Sequence, residues 1–210
     1  MERVRIKICG ITRPEDAISA AESGVDAIGL VFYEKSPRRV DAGMARSIIN
    51  SLPPFICKVG LFVDSDTNAV MTIIREVPLD LLQFHGNETP EQCQRFGKPY
   101  IKAIRMTAGV DITEYEKNYH DAVALLLDTH VAGIAGGTGQ AFNWNLIPTG
   151  LYKPIILAGG LDAGNVGTAI RKVHPYAVDV SGGVESATGI KDRHKIVAFT
   201  HAVGNACLSA

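Results

Sequence analysis

Eight apolar runs of six or seven residues recur along the chain at fairly even spacing. Runs of this length, bounded by polar and glycine-containing segments, are typical of buried β-strands. Segments with helix start signals lie between them, so strand-like and helix-like stretches alternate. The eight runs are VRIKIC (4–9), DAIGLVF (26–32), CKVGLFV (57–63), LDLLQF (79–84), YIKAIR (100–105), VALLLD (123–128), PIILAG (154–159) and YAVDVS (176–181).

Two of the segments between the runs carry explicit helix start signals. TRPE (12–15) has the T-x-x-E form of a capping box, and TPEQ (89–92) has the T-x-x-Q form with proline in the first turn. Strand followed by helix, repeated eight times, predicts a parallel sheet. Because an open doubly wound sheet usually needs fewer strands, we predict an α/β fold: a single-domain (β/α)8 TIM barrel spanning residues 1–210.

The residues that close the apolar runs are the first place to look for a site. In a (β/α)8 barrel the active site is built at the carboxyl ends of the strands. Nearly all of these positions are polar or glycine, which is more than a core requires. They are Cys9, Arg38, Asp64, His85, Arg105, Asp128, Gly159-Gly160 and Ser181-Gly182-Gly183.

Two glycine turns follow the seventh and eighth runs and indicate an anion site. Gly159-Gly160 lies in LAGGL, and Ser181-Gly182-Gly183 lies in VSGGV. Glycine lets backbone amides approach an anion closely, and the loops after strands seven and eight commonly hold phosphate in these barrels. A tight turn explains either pair alone, but two pairs in these two places favour a phosphate site.

Cys9 is open to two interpretations, a small core residue or a thiol in the site. Side chains alternate along a strand, so Val4, Ile6 and Ile8 share one face and Lys7 and Cys9 share the other. If the apolar set faces the helices, Cys9 points into the barrel mouth with Lys7 one step below. A nearby ammonium lowers a thiol pKa from about 8.5. This placement predicts a general base tuned by Lys7.

Two carboxylates follow the same inward parity. Asp128 ends LLLDT after three leucines, and partial desolvation there would suit a general acid. The alternative for Asp128 is a helix N-cap. Asp179 lies between Ala177 and Ser181 on one face, where it is either a buried partner for Lys7 or a substrate contact.

Two loops add candidate functions. Arg38 follows the second run beside Pro37, and its planar guanidinium could bind a carboxylate through two hydrogen bonds, although a basic loop tip is more often a solvated surface. The segment 129–142 is rich in glycine, which predicts either a mobile loop that closes over substrate or a plain flexible connector.

Composition limits the possible partners. The formal net charge of −1 argues against nucleic acid as a partner. The four cysteines form no CxxC pair, which is typical of reduced thiols in a cytoplasmic protein, and the six histidines show no metal-ligand spacing. We also find no membrane-spanning segment in the sequence. We therefore expect a cytoplasmic protein with a small-molecule substrate and no metal. Composition does not bear on the oligomeric state, for which we favour a monomer.

Seven sequence blocks, in matching order and spacing, closely resemble the phosphoribosylanthranilate isomerase family of the tryptophan pathway. In this family the last block more commonly reads SSG, and Gly182 here replaces the second serine, so one hydroxyl contact to phosphate is lost. The blocks are KICG (7–10), SPR (36–38), QFHG (83–86), LLDT (126–129), GGTGQAFNW (136–144), LAGGL (157–161) and VDVSGGVE (178–185).

The resemblance implies an Amadori rearrangement of N-(5'-phosphoribosyl)anthranilate to 1-(2-carboxyphenylamino)-1-deoxyribulose 5-phosphate, with roles carried over by motif position. Asp128 would protonate the furanose ring oxygen, and Cys9 would remove the C2 proton. Because neither step needs a metal or an organic cofactor, we expect no cofactor. Arg38 would hold the anthranilate carboxylate, and the two glycine turns would hold the phosphate. His85 and Asp179 match family positions near the substrate with less defined roles.

Two alternatives stand beside this function. The first is the related sugar-phosphate isomerase of histidine biosynthesis, or an enzyme serving both pathways. An aspartate would then be expected in place of Cys9, together with a second phosphate turn in the other half of the barrel. The second is a barrel that binds a sugar phosphate without catalysis, against which the presence of both Cys9 and Asp128 at strand ends argues.

Overall fold

The computed structural model describes residues 3–107, 109–129 and 142–208. Its eight parallel strands close into a barrel in sequence order, with the eighth strand paired to the first. This confirms the predicted fold class, and each of the eight apolar runs overlaps one barrel strand. The strands are β1 (Arg5–Cys9), β2 (Ala27–Val31), β3 (Cys57–Phe62), β4 (Leu81–Phe84), β5 (Tyr100–Met106), β6 (Ala124–Thr129), β7 (Ile155–Leu157) and β8 (Ala177–Val180).

Helices surround the barrel, although not one after every strand. In the described part of the chain, the stretch between β6 and β7 holds a short 3-10 turn, Trp144–Leu146, where an α-helix was expected. Most of the glycine-rich segment 129–142, predicted to be either a closing loop or a flexible connector, lies outside the described residues. The helices are α1 (Pro14–Glu22), α2 (Ala42–Asn50), α3 (Thr67–Glu76), α4 (Pro90–Gln94), α5 (Ile112–Asn118), α6 (Val166–Val173) and α7 (Arg193–Leu208).

The two faces of each strand fill two separate layers of core. Along β6, Leu126 packs inside the barrel with Ile101 and Ile156, whereas Leu127 packs beneath the surrounding elements with Ile104. Both leucines are fully buried. Because the helix-facing side and the barrel-facing side of each strand are both removed from water, apolar residues occupy both sets of alternating positions. The apolar runs are therefore nearly continuous.

Only one of the two predicted capping boxes forms. Thr89 accepts a hydrogen bond from the backbone of Gln92, whose side chain bonds back to the backbone of Thr89, as predicted for α4. The prediction for Thr12 is wrong. Helix α1 is preceded by Arg13 as its N-cap without a side-chain cap, because the Thr12 hydroxyl donates to the carbonyl of Gly189 instead.

A small hairpin follows the last barrel strand and lies against the loops that follow β1 and β2. Its strands are β9 (Glu185–Ala187) and β10 (Ile190–Lys191), which pair antiparallel. Helix α7 then covers the junction of the first and last strands by packing on α1 and α6. Among the helices of the described ranges, none is long and apolar enough to cross a membrane.

Candidate active site

One cavity of about 420 Å³ opens at the carboxyl ends of the barrel strands. It brings together predicted residues from the first, second, fourth, sixth, seventh and eighth βα units, which are far apart in sequence. Two predicted positions are not on its wall: Lys7 lies beneath the cavity, and Asp64, which closes the third run, lines a separate pocket with Glu88. The predicted residues on the wall are Cys9, Arg38, His85, Asp128, Gly159, Gly160, Asp179, Ser181, Gly182 and Gly183.

Lys7 and Asp179 form a buried ion pair at the base of this cavity. The Lys7 Nζ lies 3.0 Å from both carboxylate oxygens of Asp179, because the two residues are directly paired between β1 and β8. Burial disfavours the ammonium, but Asp179 and Cys9 together outweigh this, and the pKa of Lys7 is raised. The predicted pairing with Lys7 is therefore confirmed. Asp179 also lines the cavity, and its contact with substrate stays a prediction.

The expectation of a lowered pKa for Cys9 is wrong in this structure. Burial of the thiol is the largest influence and raises the pKa, while Lys7 acts in the opposite direction without overcoming it. The sequence indicated the ammonium correctly but could not give the degree of burial, because the walls that cover Cys9 come from other strands. Only 8% of Cys9 is exposed.

Two glycines make room for this part of the site. A Cβ at Gly29 on β2 would lie 2.8 Å from the Cys9 Sγ and 3.2 Å from the Lys7 Nζ. Gly10, the last letter of KICG, has φ +73°, and a Cβ there would lie 2.5 Å from the Cδ of Arg38. Glycine at both positions lets Cys9 and Arg38 reach the cavity without displacement.

Asp128 lies in a chain of three polar side chains. His85 Nε2 is 3.1 Å from Asp128 Oδ2, and Gln83 Nε2 is 3.0 Å from the other ring nitrogen of His85. The second oxygen of Asp128 accepts a hydrogen bond from the backbone of Thr129. Arg105 also lines the cavity and donates to the carbonyl of His85. Asp128 is buried, as its parity predicted, and it is held by specific partners.

Arg38 is engaged by the protein itself, which the sequence did not indicate. Its Nε and Nη2 donate to the two carboxylate oxygens of Glu185 at 2.8 and 2.7 Å. Arg38 is therefore not the solvated loop tip considered as an alternative, since only 14% of its side chain is exposed. Two of its donors are occupied, so a ligand carboxylate cannot use that edge of the guanidinium while the pair persists.

The two glycine turns pack against each other at one side of the cavity. Gly159 and Gly160 have φ of +85° and +63°, which favours glycine. A Cβ at Gly183 would overlap the carbonyl oxygen of Leu161, so the second turn lies directly on the first. The Asn165 side chain fixes the Gly160 carbonyl at 2.7 Å. The turns form one surface where exposed backbone amides can converge on an anion.

Residues 6–202 match the family model of N-(5'-phosphoribosyl)anthranilate isomerase. The chain belongs to this family. A protein of Pseudomonas putida named N-(5'-phosphoribosyl)anthranilate isomerase is 60% identical over 98% of this chain and its own full length. A protein of Azotobacter vinelandii with the same name is 57% identical over the same shares.

Solved structures agree with the family assignment. Phosphoribosyl anthranilate isomerase from Thermotoga maritima superposes with a TM-score of 0.87 at 38% identity, covering 96% of this chain and 99% of its own. Another isomerase, in complex with reduced 1-(o-carboxyphenylamino)-1-deoxyribulose 5-phosphate, gives a TM-score of 0.82 at 38% identity, with the same coverage.

Several buried residues of this isomerase-family chain escaped sequence analysis. Gln83 and Glu185 fall inside two of the family blocks, but the sequence indicated no role for either residue. Lys191 had no signal at all, yet its side chain is fully buried against Glu185. Lys102 and Glu88 form another buried pair at 2.8 Å, and Lys102 also donates to the carbonyl of Gly86, next to His85. Such pairs join residues from different elements, so no local pattern reveals them.

Proposed function

We propose that this chain converts N-(5'-phosphoribosyl)anthranilate to 1-(2-carboxyphenylamino)-1-deoxyribulose 5-phosphate in L-tryptophan biosynthesis. The observation that carries the proposal is one cavity whose wall holds a thiol, a carboxyl group and two anion-type glycine turns. The reaction is an intramolecular aldose-to-ketose rearrangement that needs one proton donor and one proton acceptor. Membership in the isomerase family agrees with this chemistry.

Asp128 is the proposed general acid. Its proton passes to the furanose ring oxygen, the bond between that oxygen and C1 breaks, and the anilino nitrogen supplies the electron pair of the resulting iminium. Because Gln83 Nε2 is a donor, His85 Nδ1 accepts and the ring hydrogen lies on Nε2, which donates to Asp128 Oδ2 across 3.1 Å. The proton of the acid itself is then left for the substrate. The Thr129 backbone holds the other oxygen in place.

Cys9 is the proposed general base. Its thiolate takes the C2 proton of the iminium, which leaves an enolamine that tautomerises to the ketone. The raised pKa of the buried thiol makes the thiolate scarce in the free protein but a stronger base once formed. The cationic iminium acidifies C2–H and stabilises a nearby thiolate, so the step matches a thiol of this kind.

The two ends of the substrate are assigned to two different groups of residues on the cavity wall. The backbone amides of the turns at Gly159-Gly160 and Ser181-Gly182-Gly183 are proposed to bind the phosphate. Gly182 contributes no hydroxyl, so the backbone and Ser181 carry this contact. Arg38 is proposed to bind the anthranilate carboxylate through the nitrogen that Glu185 leaves free.

The test follows the loss of anthranilate-type fluorescence from freshly made substrate. Cys9→Ala and Asp128→Asn should each lower kcat by about 100-fold or more, the usual contribution of a positioned proton-transfer group. Cys57→Ala is the matched control, because Cys57 is a free cysteine at the opposite end of β3 and should leave kcat unchanged. Near wild-type rates for both site variants would contradict the assignment.

The alternatives are tested in the same assay. We propose that the chain acts on the anthranilate substrate and not on the aminoaldose of histidine biosynthesis, so comparable turnover of that compound contradicts the proposal. Binding of substrate without turnover would support the non-catalytic barrel instead. We further propose that it acts in the cytoplasm, where reducing conditions suit its free cysteines. We also propose that it acts as a monomer.

A further inference from the structure

A buried ion pair lies between the hairpin and the phosphate-type turn. Glu185 and Lys191 are opposite each other in the β9–β10 pairing, and the Lys191 Nζ is 2.8 Å from Glu185 Oε1. The same ammonium donates to Ser181, at 3.2 Å to its carbonyl and 3.4 Å to its hydroxyl. Lys191 therefore connects the hairpin with the first residue of the second glycine turn.

Glu185 extends this contact to Arg38. It accepts two hydrogen bonds from the guanidinium, one from Lys191 and one from the backbone of Gly189. Burial opposes the charge on Glu185, but the bonds from Arg38 and Lys191 prevail and hold its pKa below the ordinary value. Glu185 is thus a charged carboxylate that accepts four hydrogen bonds from protein donors.

The net positive charge of Arg38, Lys191 and Glu185 together favours an anion beside them. Two cationic side chains, Arg38 and Lys191, share the single carboxylate of Glu185. Among the described residues, Nη1 of Arg38 has no hydrogen-bond partner, and Arg38 lines the cavity. Because the bidentate pair fixes the plane of the guanidinium, it also fixes the direction in which this free nitrogen presents its hydrogens.

We propose that Glu185 and Lys191 are positioning residues for the two ends of the substrate. Glu185 orients Arg38 toward the carboxylate of the aromatic ring, and Lys191 orients Ser181 toward the phosphate. Because Lys191 accepts no hydrogen bond, the Ser181 hydroxyl uses its oxygen for Lys191 and keeps its hydrogen for the ligand. This inference rests on the proposed function and adds a connection between its two binding regions.

The test measures binding, so it needs no turnover. Two ligands are titrated by calorimetry: reduced 1-(2-carboxyphenylamino)-1-deoxyribulose 5-phosphate and the same compound without the carboxylate. Glu185→Gln should weaken the first by about tenfold, within the range of coupling in one hydrogen-bond network, and the second by less than about twofold. Lys191→Met should weaken both ligands, because both carry the phosphate.

A double-mutant cycle isolates the action through Arg38. In an Arg38→Ala background, Glu185→Gln should have no further effect on the first ligand. The matched control is Glu76→Gln, which removes a carboxylate from an exposed pair with Arg46 and should change neither Kd. If Glu185→Gln does not fold, Glu185→Asp gives the same comparison with the charge kept and the reach shortened.

Four results would overturn the inference. Equal weakening of both ligands by Glu185→Gln, or the same weakening with and without Arg38, would mean that Glu185 does not act through the guanidinium. Tighter binding would mean that Glu185 competes with the substrate carboxylate. Unchanged binding of the second ligand to Lys191→Met would remove its role at Ser181. By contrast, a wild-type protein that binds neither ligand contradicts the proposed function itself.

Discussion

Lys7 illustrates what strand parity can and cannot say about one side chain. Parity correctly placed Lys7 on the inner face of β1 with Cys9, and the structure adds its buried partner Asp179. The effect on Cys9 depends on a balance that parity does not contain. Burial raises the thiol pKa more than the Lys7 ammonium lowers it. Lys7 thus reduces the pKa of Cys9 relative to a site without it, and the pKa still lies above the ordinary value.

The raised pKa of Cys9 predicts how kcat/KM changes with pH. Since kcat/KM follows the ionisation of the free enzyme, its rising limb should continue beyond neutral pH while Cys9 loses its proton. Lys7→Met removes the influence that lowers the thiol pKa, so the rising limb should move to still higher pH. The measurement is kcat/KM against pH for the wild type and the variant.

Lys7→Arg serves as the control for that profile, because it keeps the positive charge beside Asp179 and should move the limb much less. Lys7→Met also leaves Asp179 buried without a partner, which typically costs about 3–5 kcal/mol, so unfolding by urea is measured in parallel. An identical pH profile in folded Lys7→Met would remove Lys7 from the mechanism.

The two T-x-x-E/Q segments show how an element can be predicted correctly for an incorrect reason. Both α1 and α4 begin close to the predicted positions, at Pro14 and Pro90. At α4 the local partners are available and the box forms. At α1 the Thr12 hydroxyl bonds the carbonyl of Gly189, which arrives from the distant β9–β10 hairpin. A tertiary acceptor has replaced the local one, so the same motif has a different function.

We expect Thr89→Ala to lower the free energy of unfolding by about 1 kcal/mol, the usual cost of losing an N-cap side chain. Thr72→Ala is the matched control. Its exposed hydroxyl bonds back to Asn68 within α3, and alanine favours the helix there, so stability should be unchanged or slightly higher. Equal losses in both variants, measured by urea unfolding, would contradict the capping role of Thr89.

The closed barrel makes its inner and outer core layers parts of one structure. Each strand is hydrogen-bonded on both edges, so no edge can separate without breaking the ring. Adjacent residues of β6 serve different layers, Leu126 inside the barrel and Leu127 beneath the surrounding elements. A substitution that destabilises either layer should therefore destabilise the entire ring of strands.

Leu126→Ala and Leu127→Ala should each lower the free energy of unfolding by about 2–5 kcal/mol, because each leaves a cavity in a close-packed layer. Both should shift a single transition, seen alike by Trp144 fluorescence and by far-UV circular dichroism. Ile18→Ala, at a position 39% exposed, is the control and should cost much less. Separate transitions for the two probes would show that the layers unfold independently.

Much of this molecule followed from local patterns. The eight strands were predicted because burial on both faces gives continuous apolar runs, and barrel closure was predicted because eight units in 210 residues fit a ring. The inward faces of Cys9, Asp128 and Asp179 followed from a period of two. The roles of the site residues remain predictions, supported by their common cavity.

What local patterns could not contain are interactions between elements that are distant in sequence. Four features depend on which groups folding brings together. They are the ion pair of Arg38 with Glu185, the burial of Lys191, the hydrogen bond from Thr12 to Gly189 and the raised pKa of Cys9. Side-chain identity fixes what a group can do, whereas desolvation and partner distance fix what it does. Those two quantities exist only after the chain has closed its barrel.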